Sequence, residues 1–284
     1  MNKNHKVVFD VGMHKGEDTD FYLKKGFHVV AFEANPELVK FCSEKFAKEM
    51  EAGKLIIVEG AIIDPEFDSD VTNPYILFYR NITKSVWGTI DSNWAKRNEK
   101  KGTENEIVEV LKVDFKKCLE TYGIPYYLKI DIEGMDRVCL KSLLHFQHKP
   151  DYISIESEKV SFQSLKEEFD LFIRNGYDQF KIINQQNISE QKEPTNSEEG
   201  NYINYHFKGG ATGLFGKDLP NNWVDYQTAI KRYKLIFCGY KLFGDNGKIT
   251  NKILRKIAFK LVSVFTKEPI PGWYDTHAKH CTIK

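Results

Sequence analysis

The chain has 284 residues, 41% hydrophobic and 29% charged, with 41 lysines and arginines against 40 acids. That length suits one large α/β domain with additions or two small ones, and a formal charge of +1 leaves no global basic field for a nucleic-acid backbone. The cysteines (Cys42, Cys118, Cys139, Cys238 and Cys281) are scattered and never form a Cys-x-x-Cys pair, which reads as reduced thiols in a cytoplasmic protein without zinc. No apolar run approaches the roughly 18 residues of a membrane span, and the apolar stretch near the N-terminus is too short for a signal peptide.

Val7 to Asp10 is an apolar run that ends in an acid; Gly12 and Gly16 follow, and a helical pattern from Asp18 to Lys25 stops at Gly26. A strand, a glycine loop and a helix form the layout of a nucleotide site. The spacing is Asp-x-Gly-x-x-x-Gly, which differs from the Gly-x-Gly-x-x-Gly of dinucleotide binding. His28 to Phe32 is a second strand, and Glu33 at its end can take both hydroxyls of a ribose. The loop lacks the Lys and Ser/Thr that hold a triphosphate. The expected ligand is therefore an adenosine without a phosphate chain, S-adenosylmethionine, bound by Asp10, Gly12, Gly16 and Glu33. The rival reading is two glycines that merely turn a tight corner.

A helix follows from Pro36 to about Met50, then a strand from Leu55 to Val58, whose end Glu59-Gly60-Ala61 is expected to border the adenine through Gly60 and Ala61, with a simple turn as the rival reading. Tyr75 to Tyr79 and Ile107 to Val113 are strand-like within an insertion. Beyond it, helices at 114–122, 135–146 and 164–175 alternate with strands at 126–132, 152–155 and 179–183. Such alternation implies a Rossmann-like, doubly wound, mostly parallel sheet covered on both faces. Residues 185–201 are almost devoid of apolar side chains, so they are expected to be mobile. With the glycine-rich stretch 209–216, the region 185–220 reads as a substrate lid, with an inert surface insertion as the rival. Tyr202 to Phe207 alternates like a strand, and 221–237 suits a helix. Residues 1–207 are thus expected to form the cofactor domain, and 208–284 an extension packed on it that contributes to the acceptor site. In that extension Ile249 to Phe265 forms a basic amphipathic pattern, expected to pack on the domain, with peripheral membrane contact as the alternative.

Four pieces in order, Phe9-Asp-Val-Gly-Met-His-Lys-Gly16, Phe32-Glu-Ala-Asn-Pro36, Glu59-Gly-Ala61 and Lys129-Ile-Asp-Ile-Glu-Gly134, resemble the FkbM type of class I S-adenosylmethionine-dependent methyltransferase. The resemblance implies a seven-stranded sheet whose last strand is antiparallel, and O-methylation of a sugar, polyketide or similar hydroxyl; the expected acceptor is a hydroxyl of a sugar, glycan or small metabolite. It does not carry over an acceptor.

Methyl transfer to an alcohol needs alignment and a proton acceptor. Lys129, Asp131 and Glu133 are two residues apart at the end of a strand, where ligands sit in open α/β sheets, and are the expected catalytic group. Asp131 is the first choice for the base or substrate anchor; a buried Lys129–Asp131 ion pair is the rival. Glu156 and Glu158 could join Asp131 and Glu133 as oxygen ligands for Mg²⁺, but solvated acids are the preferred reading and no metal is assigned. His14 reads as a surface residue or backbone partner. The alternatives to an O-methyltransferase are a non-catalytic S-adenosylmethionine-binding module and an RNA ribose methyltransferase, the latter opposed by the near-neutral charge. Oligomeric state is open.

Overall fold

The apolar runs form strands where β-branched and aromatic residues cluster, and four of the helices begin where Asn, Asp or Ser caps them. The computed structural model describes residues 3–68, 70–132, 134–243 and 272–283. Glu133 and the 249–265 pattern lie outside the described residues. The first half comprises β1 (Lys3–Val11), α1 (Glu17–Lys24), β2 (His28–Glu33), α2 (Pro36–Lys45), α3 (Ala47–Glu51) and β3 (Leu55–Glu59). The insertion holds β4 (Ala61–Ile62), β5 (Tyr75–Asn81), α4 (Ser92–Lys100) and β6 (Asn105–Val113). Then come α5 (Phe115–Tyr122), β7 (Ile124–Ile130), α6 (Asp136–Leu143), β8 (Tyr152–Glu156), α7 (Phe162–Arg174) and β9 (Tyr177–Asn184). The chain closes with β10 (Val224–Asp225), α8 (Tyr226–Phe243) and β11 (Tyr274–His280). The side chains of Asn35, Asp91, Asp114 and Ser161 accept backbone N–H bonds at the starts of α2, α4, α5 and α7.

The main sheet runs β10-β9-β11-β8-β7-β1-β2-β3. β11 pairs antiparallel with both β8 and β9, while β1, β2, β3, β7 and β8 pair parallel. The expected seven strands with one antiparallel member are present, and the two-residue β10 adds an edge. The antiparallel strand comes from Tyr274–His280, so residues 208–284 do more than pack on a finished domain: they supply an interior strand. Tyr202 to Phe207 is not a strand; Tyr205 and Phe207 instead lay their rings against Phe21. β4, β6 and β5 form a separate small sheet.

One face of the main sheet buries Phe9, Val11, Leu128 and Ile153 beneath residues of α5, α6, α7 and α8. The other buries Val8, Val29 and Tyr127 beneath α1, α2 and the segment around Phe207 to Leu219. That segment explains a sequence expectation that fails. Residues 193–201 are not a free loop over the carboxyl edge; they close the opposite edge, beside Lys25, Phe27 and Tyr126, while Gln185 donates to the Thr212 carbonyl and Gln191 accepts the Leu214 N–H of the glycine-rich stretch. The buried Lys25 ammonium contacts the Glu193 carboxylate, Ser197 Oγ at 2.7 Å and Asp218 at 3.2 Å. Glu199 accepts from Tyr126 Oη and the Lys217 N–H, each at 2.7 Å. The stretch is polar because it forms a buried charge network rather than an apolar core.

Removing one partner of a buried ion pair leaves the others uncompensated, at about 3–5 kcal/mol. Lys25→Met is expected to lose stability of that order in denaturant unfolding. Hydrogen exchange in the same variant is expected to accelerate at 193–201, while β1 and β7 stay protected.

Candidate active site

The strand order reverses at β1, which pairs with β2 on one side and β7 on the other. Ligands in open α/β sheets bind at such a switch point, outside the carboxyl ends of the strands. A cleft of about 890 Å³, open to solvent, lies there. It is lined by the glycine loop after β1, the ends of β2 and β7, and Ser85, Val86, Gly88, Thr89 and Ile90 of the insertion.

The loop after β1 is shaped by Gly12. It has φ of +86°, and a Cβ there would lie 1.9 Å from the Asp131 carbonyl oxygen. Only glycine allows the β1 and β7 ends to approach this closely. Gly16 also has positive φ, at the start of α1, but it faces the Phe46 ring rather than the cleft. His14 holds the left-handed conformation at φ of 52°, which non-glycine residues seldom adopt. Its backbone N–H donates to Glu33 Oε2 at 2.8 Å, and the Asn35 N–H donates to the other Glu33 oxygen at 2.8 Å. Both carboxylate oxygens of Glu33 are thus fixed at the cleft wall, each with lone pairs to spare. Burial raises the Glu33 pKa, against the opposing pull of those two N–H donors. Gly60, at φ of +130°, and Ala61 line the cleft beside Leu38 and Ile62.

At the far wall, Lys129 sits among carboxylates. Its Nζ donates to the Gly12 carbonyl at 2.7 Å and lies 3.1 Å from Asp10, 3.8 Å from Asp18 and 3.8 Å from Asp131. Asp10 and Lys129 are register partners on adjacent strands, so the parallel pairing itself juxtaposes them. Burial alone would lower the Lys129 pKa; Asp10, Asp131 and Asp18 overcome that and raise it. Asp131, with its side chain 41% exposed, is the member that faces the cleft most openly.

Of the residues expected at the site, Gly12, Glu33, Gly60, Ala61, Lys129 and Asp131 line one cleft. Asp10 does not. It is fully buried, accepts from Thr19 Oγ1 at 2.6 Å and faces Lys129, with no backbone N–H bond to the loop among the described contacts. Glu156 and Glu158 turn to other work: Glu156 pairs with Lys159 at 2.6 Å, and Glu158 accepts the Val160 and Ser161 N–H groups before α7. Among the described residues no group of three His, Cys, Asp or Glu converges on a metal position.

Two features escape a reading of the sequence. His14 Nε2 lies 2.8 Å from Ser85 Oγ, and its Nδ1 lies 3.4 Å from Glu17, which ties the glycine loop to the insertion across the cleft. Asp18 accepts the Thr212 N–H on both oxygens at 3.0 Å, so the glycine-rich stretch is anchored here and Gly210 reaches the cleft. The contacts span 71 and 194 positions in sequence, and no local pattern encodes them.

Burial, with Asp10 adding, pushes the Asp18 carboxyl up to about 7 despite Lys129 and the Thr212 N–H. Its folded pKa exceeds its unfolded value of 3.8, so its contribution is fully present below that value. Stability is lost as pH rises from about 4 towards 7, while the unfolded chain ionises first. Asp18→Asn keeps an acceptor for Thr212 and removes this loss. Its melting temperature is expected to exceed that of the wild type at pH values near 7, and the difference should vanish by about pH 4.

A family model, the methyltransferase FkbM domain, matches residues 10–180, more than half of the chain. The probable ribosomal RNA small subunit methyltransferase A of Natronomonas pharaonis is 36% identical over 72 residues, 24% of this chain and 26% of that protein. The match therefore spans about a quarter of that curated relative. Among solved structures, methyltransferase FkbM from Methylobacillus flagellatus is 14% identical with a TM-score of 0.41, covering 65% of this chain and 41% of that one. A SAM-dependent methyltransferase from Archaeoglobus fulgidus is 11% identical with a TM-score of 0.38, covering 98% and 87%. The family match over β1 to β9, on a sheet reversing at β1 with its cleft there, identifies the chain as a member of the FkbM methyltransferase family, with S-adenosylmethionine as cofactor.

Proposed function

We propose that the protein transfers a methyl group to a hydroxyl of a sugar or small metabolite. The observation that carries this reading is Asp131, a half-exposed carboxylate at the carboxyl end of β7, in the same cleft as Glu33. The cleft suits the cofactor chemically. Glu33 presents acceptors for a ribose diol; Leu38, Gly60, Ala61 and Ile62 offer an apolar slot for a purine; three carboxylates around one ammonium favour a cation nearby. S-adenosylmethionine, when bound, supplies a methyl group on a sulfonium sulfur. Asp131 accepts the acceptor hydroxyl's proton, and Lys129, locked as an ammonium, positions Asp131 and the Gly12 carbonyl. Both S-adenosylmethionine and the acceptor then meet groups fixed before they arrive.

Glu33→Ala is expected to weaken S-adenosylhomocysteine binding by at least about tenfold, because charged hydrogen bonds contribute about 1.5–3 kcal/mol each. Calorimetry that finds wild-type affinity in the folded variant would remove Glu33 from the ribose. Asp131→Asn is expected to retain that affinity and lose about 10²-fold or more in turnover on a hydroxyl acceptor found by screening. NMR of the product reads the methylated atom, and a methyl on nitrogen or carbon contradicts the proposal.

A further inference from the structure

The insertion that forms the outer wall of the cleft is built more rigidly than a surface excursion requires. The buried Asn81 donates to Thr103 Oγ1 at 2.7 Å and to Asn105 Oδ1 at 3.1 Å, and accepts the Lys84 N–H at 2.7 Å. The buried Asn98 donates to the Trp87 carbonyl at 3.3 Å, while Thr103 donates to the Asn98 carbonyl at 2.9 Å. This network holds two half-buried indoles in the insertion: Trp87, between the cleft-lining Val86 and Gly88, and Trp94, on α4. Each carries a cation. Lys84 Nζ lies 3.9 Å from the centre of the Trp87 ring, with Lys101 Nζ at 5.8 Å, and the Arg97 guanidinium lies 4.3 Å from the Trp94 ring. The Trp94 indole abuts the turn after β7, where a Cβ on Gly134 would be 3.1 Å from it; Asp131 lies three residues earlier in that turn. Ser85, Gly88 and Thr89 of the same insertion line the cleft.

The charge of this rim departs from that of the whole. Between residues 82 and 104 stand Lys84, Lys96, Arg97, Lys100 and Lys101 against Asp91, Glu99 and Glu104. Asp91 is committed to capping α4, and Glu99 accepts from Asn105. A cation resting on an indole has lost part of its hydration and much of its freedom, so it meets an anion at reduced entropic cost. An indole edge beside it offers flat apolar surface to the C–H face of a sugar.

We propose that the Trp87–Trp94 rim is the acceptor subsite and that the acceptor is an anionic saccharide, one bearing a phosphate or carboxylate group. Its charge meets Lys84, Lys101 and Arg97, its ring lies at the indoles, and its reacting hydroxyl points inward to Asp131. This rests on the O-methyl transfer reading of the cleft. A polynucleotide is the wrong partner: between residues 82 and 104 five cations face three acids, a small local excess on a chain whose net charge of +1 gives no global basic field for successive phosphates.

The full chain is titrated with glucose-1-phosphate, glucuronate, glucose, inorganic phosphate and a short single-stranded RNA, with and without S-adenosylhomocysteine. Binding is read by calorimetry and by the indole N–H resonances of Trp87 and Trp94. At least one charged sugar is expected to shift both indoles, with glucose and inorganic phosphate weaker by about tenfold or more. Response to glucose-1-phosphate alone assigns the anion as phosphate, and to glucuronate alone as carboxylate. The rim variant Lys84→Gln/Arg97→Gln is expected to lose about tenfold in sugar affinity and keep its S-adenosylhomocysteine affinity, which also reports its folding. Equal binding of glucose, binding of neither charged sugar, or displacement of the sugars by lower concentrations of RNA overturns the proposal. Failure of S-adenosylhomocysteine to bind overturns the cofactor geometry instead, and the titrations without it still decide the acceptor class.

Discussion

The Lys129 ammonium is the contact on which the rest of the cleft depends. It draws together β1 through Asp10, α1 through Asp18, the glycine loop through the Gly12 carbonyl, and the turn after β7 through Asp131. A buried charge is tolerable only when it is paired and hydrogen-bonded, and here each partner arrives on a different element. The lysine therefore sets the relative position of elements that the strand pairing alone would leave adjustable. Asp18 extends the same network outward to the Thr212 N–H, so the segment covering one face of the sheet is tied to the cleft by a side chain of α1.

Lys25 plays the corresponding part at the opposite edge. There Glu193, Ser197 and Asp218 come from parts of the chain remote from α1, and the polar segment between β9 and β10 is held in place by them. One face of the sheet is thus covered by α1 and α2 together with a segment that is not a helix: Phe207, Leu214 and Phe215 add apolar contacts, and the ionic cluster closes the end. The stacked Phe215 and Tyr127 rings, 4.4 Å between centroids, show how directly this irregular segment enters the core.

Much of the main sheet was legible in the residues because parallel strands are apolar runs and the helices between them carry caps and periodic faces. The cleft residues Gly12, Glu33, Gly60, Ala61, Lys129 and Asp131 were legible for a related reason: each sits at a strand end, where position in the fold follows from position in the run. Asp10 was misread because its burial depends on Lys129 in the neighbouring strand and on Thr19, and an acid at a strand end gives no sign of which way it turns. Residues 193–201 were misread because composition measures apolar content and does not register a lysine more than 160 positions away that can pair with the Glu193 carboxylate. The His14–Ser85 tie was hidden by the same long range.

The placement of β11 has a consequence for how the molecule comes into being. β8 and β9 do not touch one another; each pairs with β11, which belongs to residues 274–280. During synthesis both strands leave the ribosome well before their shared neighbour, and each carries an unpaired edge until it arrives. Five strands can assemble early around β1, but the β9 side must wait for a pairing of high sequence separation. The nascent chain thus passes through a stage with two open edges, the state in which strand exchange between neighbouring chains is easiest, and a molecule cut short before residue 274 would be left in it.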